Sequence, residues 1–125
     1  MQLHRKEKSF LLGFKLQHSE FKCKCDNERC HYTLVSSLLM TRWYAFRKAM
    51  GTPIPVTSGF RCQTHNEKVG GKPESYHTLG MAIDISYKGF PQRTKDKFIE
   101  EAAKYFTFTL DYPNQEFIHC HVVDL

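Results

Sequence analysis

The segment from Ser75 to Ile85 constrains this chain most strongly, because it combines a histidine and a carboxylate with a glycine between them. His77 and Asp84 offer an imidazole nitrogen and a carboxylate oxygen, and both are ordinary zinc ligands. Gly80 allows the chain to reverse, so that both side chains can converge on one ion. Asp84 stands between two isoleucines, and a buried carboxylate needs a cation or another partner. The segment therefore predicts half of a catalytic metal site.

The length and composition are those of one globular domain. The chain has 125 residues, of which 41% are hydrophobic and 25% are charged. We expect a monomer with a cysteine-bearing N-terminal extension over residues 1–30 and a catalytic part over about 31–125. No apolar stretch is long enough to cross a bilayer, and the apolar run that ends at Lys15 is too short for an export signal. We therefore expect neither a transmembrane segment nor an export signal.

The charge of the chain favours an anionic partner but does not identify it. The formal net charge is +5 at pH 7, which suits a nucleic acid, a membrane surface or an acidic cell-wall polymer. Lysine and arginine are scattered, and neither a recognition helix nor an aromatic RNA-binding motif is present. We therefore expect no nucleic-acid partner.

The five cysteines, at positions 23, 25, 30, 62 and 120, cannot all pair within one chain because their number is odd. Without an export signal, free thiols in a reducing compartment are the favoured interpretation. The alternative is a small structural zinc site formed by Cys23, Cys25 and Cys30 together with His31. The spacing C-x-C-x4-C-H is not that of a standard zinc knuckle, so this second ion is the less favoured interpretation.

The hydrophobic pattern predicts an α+β domain in which helices pack on a small antiparallel sheet. Apolar residues recur at helical spacing from about Tyr32 to Met50, and Gly51 ends this helix. A second helix is predicted to begin after Thr94 as its N-cap and to reach Phe106. Three strands are predicted at residues 53–57, 82–85 and 116–123, with a loop-rich stretch at 60–81, while residues 1–30 are expected to be irregular.

The remaining parts of a hydrolytic site can be found on either side of the central segment. His119 and His121 lie two residues apart in the last strand and therefore point to the same face, which leaves open whether one or both meet the metal. Glu116 stands three residues before His119 and could take a proton from water. Arg61 could hold a substrate carboxylate or stabilise an oxyanion.

These motifs together resemble the zinc peptidases of the hedgehog/D-Ala-D-Ala-peptidase fold. The resemblance covers about residues 18–123. That family of zinc peptidases includes D-alanyl-D-alanine carboxypeptidases and dipeptidases, and the L-alanyl-D-glutamate endopeptidases of bacteriophage lysins. The motifs are Ser58-Gly-Phe-Arg61, His65-Asn66, Val69-Gly70-Gly71, Ser75-x-His77-x-x-Gly80-x-Ala82-x-Asp84-Ile85 and the late Phe-Ile-His119.

The resemblance implies a role for each matching residue. It implies that His77, Asp84 and His119 bind one catalytic zinc ion and that Glu116 is the base. It also implies that Arg61 contacts the substrate or the oxyanion. Beyond the resemblance, we expect Ser75 and His121 to contribute to substrate binding. Related short chains often end in H-x-D, whereas this chain has His119-x-His121. His121 therefore stays an alternative third ligand, and Asp124 an alternative base.

The function implied by this resemblance is hydrolysis of an amide bond in the peptidoglycan stem peptide. The bond would be L-Ala-D-Glu or D-Ala-D-Ala, and the protein would be a phage-type lysin (an endolysin) or a cell-wall remodelling enzyme. It would reside in the host cytoplasm or the virion before it acts on the bacterial cell wall. The alternative is a non-catalytic zinc-binding module on the same fold, as in the hedgehog signalling domain.

Overall fold

A four-stranded antiparallel sheet with strand order β5-β6-β8-β7 forms the centre of the fold. The computed structural model describes residues 2–5, 11–12, 16–17, 21–25, 30 and 32–123. Two smaller antiparallel pairs, β1-β4 and β2-β3, precede the central sheet along the chain. The elements are β1 (Gln2–Arg5), β2 (Leu11–Leu12), β3 (Leu16–Gln17), β4 (Tyr32–Val35), α1 (Ser37–Met50), β5 (Val56–Ser58), α2 (Gln63–Lys68), a 3-10 turn (Tyr76–Leu79), β6 (Ala82–Ser86), α3 (Gln92–Tyr105), β7 (Phe108–Tyr112) and β8 (Phe117–His121).

The hydrophobic core lies between the sheet and the two long helices. Strands β6 and β8 contribute Ile83, Ile85 and Ile118, whose side chains are fully buried. Helix α1 contributes Phe46, whose ring contacts that of Phe98 from α3 edge to face at 5.3 Å. Burial of these large apolar side chains is the main stabilising contribution to the domain. The predicted α+β class, with helices packed on a small antiparallel sheet, is confirmed.

The register of the central sheet places the polar residues in one row. Asp84 in β6 lies directly opposite His119 in β8, and Ser58 in β5 lies opposite Asp84 on its other side. Directly paired residues project from the same face of an antiparallel sheet, with their Cβ atoms about 5 Å apart. The pairing of β6 with β8 is therefore the step of folding that brings two distant parts of the candidate site together.

The predicted start of the first helix is wrong by five residues, from Tyr32 to Ser37, and the predicted N-cap of the second is wrong by three, from Thr94 to Pro91. Residues Tyr32–Val35 form strand β4 rather than the first turn of α1, and the Oγ of Ser36 caps the helix by accepting a hydrogen bond from the N–H of Leu39 at 3.3 Å. Helix α3 begins at Gln92 after Pro91, so Thr94 lies inside the helix instead of capping it. Proline is suited to the start of a helix because its φ is fixed and it has no N–H to leave unpaired.

Strands are also present toward both ends of the chain where none was predicted. The expectation that residues 1–30 are irregular is wrong, since β1 pairs with β4, and β2 pairs with β3. Strand β7 was missed although Phe108, Leu110 and Tyr112 alternate with polar residues and are followed by Pro113-Asn114, which is a hairpin signal. Within the described ranges, none of the helices combines the length and apolar character that a membrane crossing requires.

Candidate active site

Asp84 is the centre of the candidate site. Strand β6 places its side chain in a position where the residue is only 7% exposed. The Oδ1 of Asp84 lies 3.1 Å from Nε2 of His77 and 3.1 Å from Nδ1 of His119. The three potential ligand atoms all lie within 4.8 Å of one another. The prediction that Asp84 is buried and needs partners is confirmed.

His77 is held in a single orientation by the backbone around it. It lies in the 3-10 turn, where its backbone N–H donates to the Oγ of Ser75 at 3.2 Å. Its ring nitrogen Nδ1 lies 2.8 Å from the carbonyl oxygen of Gly59. A carbonyl can only accept, so Nδ1 carries a hydrogen, and Nε2 is the ring nitrogen left for a metal ion. Nε2 faces Oδ1 of Asp84, so either a proton on Nε2 or a metal ion can lie between these two atoms.

His119, rather than His121, is the histidine next to Asp84. The Nε2 of His119 lies 3.0 Å from Nδ1 of His121. His121 therefore contacts the ring of His119 on the side away from the carboxylate of Asp84. The ring of His121 is stacked between Tyr76, at a centroid distance of 4.0 Å, and Phe108, at 4.8 Å. This arrangement favours His119 as the third ligand and makes His121 part of an aromatic wall.

The electrostatics of the cluster keep the carboxylate charged and the outer imidazole neutral. Burial alone would raise the pKa of Asp84, but hydrogen bonds from His119 and His77, together with their positive charge, lower it to about 2. Burial, with the charges of His119 and His77, lowers the pKa of His121 to about 4. At neutral pH, Asp84 is therefore an anion, and His121 carries no charge.

Arg61 lies on the other oxygen of the same carboxylate. Its Nη2 is 3.2 Å from Oδ2 of Asp84, its Nε donates to the Oγ of Ser58 at 3.1 Å, and its Nη1 donates to Oδ1 of Asn66 at 3.4 Å. A guanidinium has five N–H groups, so these three contacts leave one on each terminal nitrogen. Arg61 also lines the cavity described next, where those two groups could meet a substrate oxygen.

A cavity of about 900 Å³ opens over the cluster. Arg61, Ser75 and His121, three of the predicted site residues, line it together with His77, Asp84 and His119. Glu74 and Phe108, which the sequence analysis did not single out, line it as well. The alternation that would have revealed β7 would also have placed Phe108 on the face of this cavity.

Glu116 is the predicted residue that the structure does not bring to this cavity. Its neighbours Gln115 and Phe117 line the cavity, but Glu116 does not. It lies in the turn before β8 with a φ of 55°, and its carbonyl oxygen accepts a hydrogen bond from the N–H of Tyr87 at 3.0 Å. Its role as a base stays a prediction. Asp124, the alternative base, lies outside the described residues.

The arrangement of donors fits a catalytic zinc ion. Two imidazole nitrogens and one carboxylate oxygen form a donor set that zinc uses in hydrolytic sites, where a further position stays open to solvent or substrate. The cavity provides this open side. A metal ion could take the place of the proton between Nε2 of His77 and Oδ1 of Asp84. His77, Asp84 and His119 could therefore hold one zinc ion.

Gly80 is essential to this geometry, and we expect Gly80→Ala to destabilise the protein strongly. Gly80 has a φ of 70°, and a Cβ there would overlap the backbone oxygen of Leu34. The left-handed conformation costs a non-glycine residue about 1–2 kcal/mol, and the overlap should add about 1–3 kcal/mol. Urea unfolding of the zinc-free protein measures the total.

Gly89→Ala is the matched control, because Gly89 has a φ of 84° and a Cβ added there would meet no other atom within 4 Å. It should show the conformational cost alone. Equal losses in the free energy of unfolding for the two variants would contradict the close packing of Gly80 on Leu34.

The chain matches a protein-family model over most of its length and a curated protein over a shorter segment. A family model described as Peptidase M15 matches residues 12–121. The zinc D-Ala-D-Ala carboxypeptidase of Streptomyces albus G is 45% identical over 56 residues, which cover 42% of this chain and 22% of that relative. The aligned part therefore spans less than a quarter of the curated relative's length.

Proposed function

The chain belongs to the peptidase M15 family, and on that premise we propose that it is a zinc-dependent peptidase acting on the peptide part of peptidoglycan. The observation that carries the proposal is the convergence of two imidazole nitrogens on one buried carboxylate oxygen, each at 3.1 Å, beside an open cavity. The bond cut would be L-Ala-D-Glu or D-Ala-D-Ala, and the relative named for D-Ala-D-Ala supports the second.

The protein's own residues would each perform one task. His77, Asp84 and His119 would hold zinc, which when bound polarises a carbonyl and lowers the pKa of water. Arg61 would use its two remaining N–H groups to bind a substrate carboxylate or the oxygen of the attacked carbonyl. The Oγ of Ser75 would keep His77 in place through its backbone N–H. Glu116 would accept a proton from water and pass it to the leaving amine nitrogen.

The walls of the cavity suit a peptide that carries negative charge. Arg61 and Lys72 provide positive charge, and Tyr76, Phe108 and Tyr112 provide flat apolar surfaces. Stem peptides contain free carboxylates, which the two basic side chains could bind. A phage-type lysin or a wall-remodelling enzyme that reaches the wall from the host cytoplasm or the virion, as a monomer, fits this proposal.

Digestion of purified peptidoglycan tests the proposed function. The zinc-loaded protein should release either new amino-terminal D-Glu or free D-Ala, which mass spectrometry of the muropeptides distinguishes. His77→Ala protein, incubated in parallel, should leave the muropeptides unchanged. If the zinc-loaded wild type cuts neither bond, the proposal is wrong and the non-catalytic zinc-binding module is supported. The position of Glu116 outside the cavity lining is the observation that favours that second candidate.

A further inference from the structure

Four of the five cysteines converge at a place separate from the candidate active site. They are Cys23, Cys25, Cys30 and Cys62, and their sulfur atoms all lie within 4.8 Å of one another. We propose that these four thiolates form a second metal site, which holds a structural zinc ion. In this proposal the fourth ligand is Cys62, from the loop before α2. His31, the fourth ligand considered from the sequence, lies outside the described residues.

The separations between the sulfur atoms are those of ligands around a shared ion. The Sγ of Cys62 lies 3.8 Å from that of Cys23 and 3.7 Å from that of Cys25. Zinc binds thiolates at about 2.3 Å in a tetrahedron, which places neighbouring sulfurs about 3.8 Å apart. A disulfide would need about 2.05 Å. Among the described cysteines no two are joined by a disulfide, so all four sulfurs can serve as ligands.

Backbone donors in the cluster favour the thiolate form that a metal requires. The N–H of Cys62 donates to the Sγ of Cys23 at 3.4 Å, and the N–H of His65 donates to the Sγ of Cys62 at 3.4 Å. Such hydrogen bonds stabilise negative charge on sulfur and orient the ligands. Cys23 is also buried, at 1% exposure, so a thiolate there needs a positive partner.

The site would connect the N-terminal segment to the loop that carries Arg61. Phe21 is buried, and its carbonyl oxygen accepts a hydrogen bond from the N–H of Phe60 at 2.7 Å. Gly59, whose oxygen contacts His77, lies so close that a Cβ there would be 2.7 Å from the Cα of Phe21. Because four protein ligands complete a tetrahedron, the ion would have no open position and would act as a structural support.

Zinc content per chain tests the second site without any activity measurement. The wild type should contain two zinc ions by elemental analysis, and Cys25→Ser and Cys62→Ser should each contain one. Cys120→Ala is the matched control, because Cys120 is buried in β8 outside the cluster, and it should keep both ions. Asp84→Asn should lose the other ion, and its remaining zinc should show only sulfur neighbours at about 2.3 Å by X-ray absorption.

Three results would overturn the proposal. They are an unchanged zinc content in Cys25→Ser, a disulfide joining Cys23 to Cys62 in the freshly purified protein, and iron in place of zinc in the cluster. If the serine variants do not fold, the absorption spectrum of the Asp84→Asn protein still decides, since zinc without sulfur neighbours contradicts the site. Failure of peptidoglycan cleavage alone would leave these measurements unaffected.

Discussion

Replacing Asp84 with asparagine should remove zinc from the candidate active site and abolish peptide hydrolysis. The substitution preserves the shape of the side chain but removes the negative charge that both His77 and His119 approach at 3.1 Å. It also removes the ion-pair partner of Arg61. Loss of one catalytic group typically lowers turnover by roughly 10²–10⁴-fold, and we expect loss of the metal to lower it by at least as much. Elemental analysis and muropeptide release measure the two losses.

Asp111→Asn is the matched control for this substitution. Asp111 lies in β7, is exposed, and accepts a hydrogen bond from the hydroxyl of Tyr87 at 2.7 Å, outside the cavity. Its neutralisation should leave the zinc content and the cleavage rate near those of the wild type. An Asp84→Asn protein that kept both its full zinc content and its activity would contradict the assignment of the site.

The local part of the site could be predicted because its geometry depends on short-range sequence. Asp84 lies between two isoleucines in strand β6, which is buried on both faces, so burial of its side chain could be anticipated from the sequence. Gly80 adopts a left-handed φ that a side chain would disfavour, and it ends the 3-10 turn that holds His77. These relations connect residues that are close together in the chain, so the order of residues is enough to anticipate them.

The choice between His119 and His121 could not be made from sequence, because it depends on how β8 pairs with β6. Both histidines point to the same face, and only the register that sets Asp84 opposite His119 separates them. A shift of the register by two residues would place His121 opposite Asp84 while every side chain kept its face of the sheet. The register is a tertiary property, which is why the sequence left both ligands open.

Cys62 illustrates the same limit over a longer distance. The pattern C-x-C-x4-C showed three sulfur ligands close together, and the nearest candidate for a fourth was His31. In the structure the fourth sulfur comes from the loop before α2, because the backbone hydrogen bond from the N–H of Phe60 to the carbonyl oxygen of Phe21 holds Cys23 beside that loop. Contacts of this kind join residues that are far apart in the chain, so a local sequence pattern does not predict them.

The role of Glu116 separates a peptidase from a zinc-binding module, and we expect Glu116→Gln to keep its zinc while losing most of its activity. A glutamine has nearly the same shape but cannot accept a proton from water. Loss of a general base typically lowers turnover by about 10²–10⁴-fold. For Glu116 to act, the turn before β8, where it has a φ of 55°, would have to direct its carboxylate toward the substrate. Cleavage of a soluble stem peptide by zinc-loaded protein measures the change.

Glu74→Gln is the informative comparison, because Glu74 is an exposed carboxylate that already lines the cavity. If Glu116 is the base, Glu74→Gln should reduce the rate only slightly, through weaker contact with the substrate. The reverse result, with Glu74→Gln inactive and Glu116→Gln active, would assign the proton transfer to Glu74, in agreement with its place in the cavity wall. Both variants should still contain zinc at His77, Asp84 and His119. Full activity in both would therefore contradict a carboxylate base at either position.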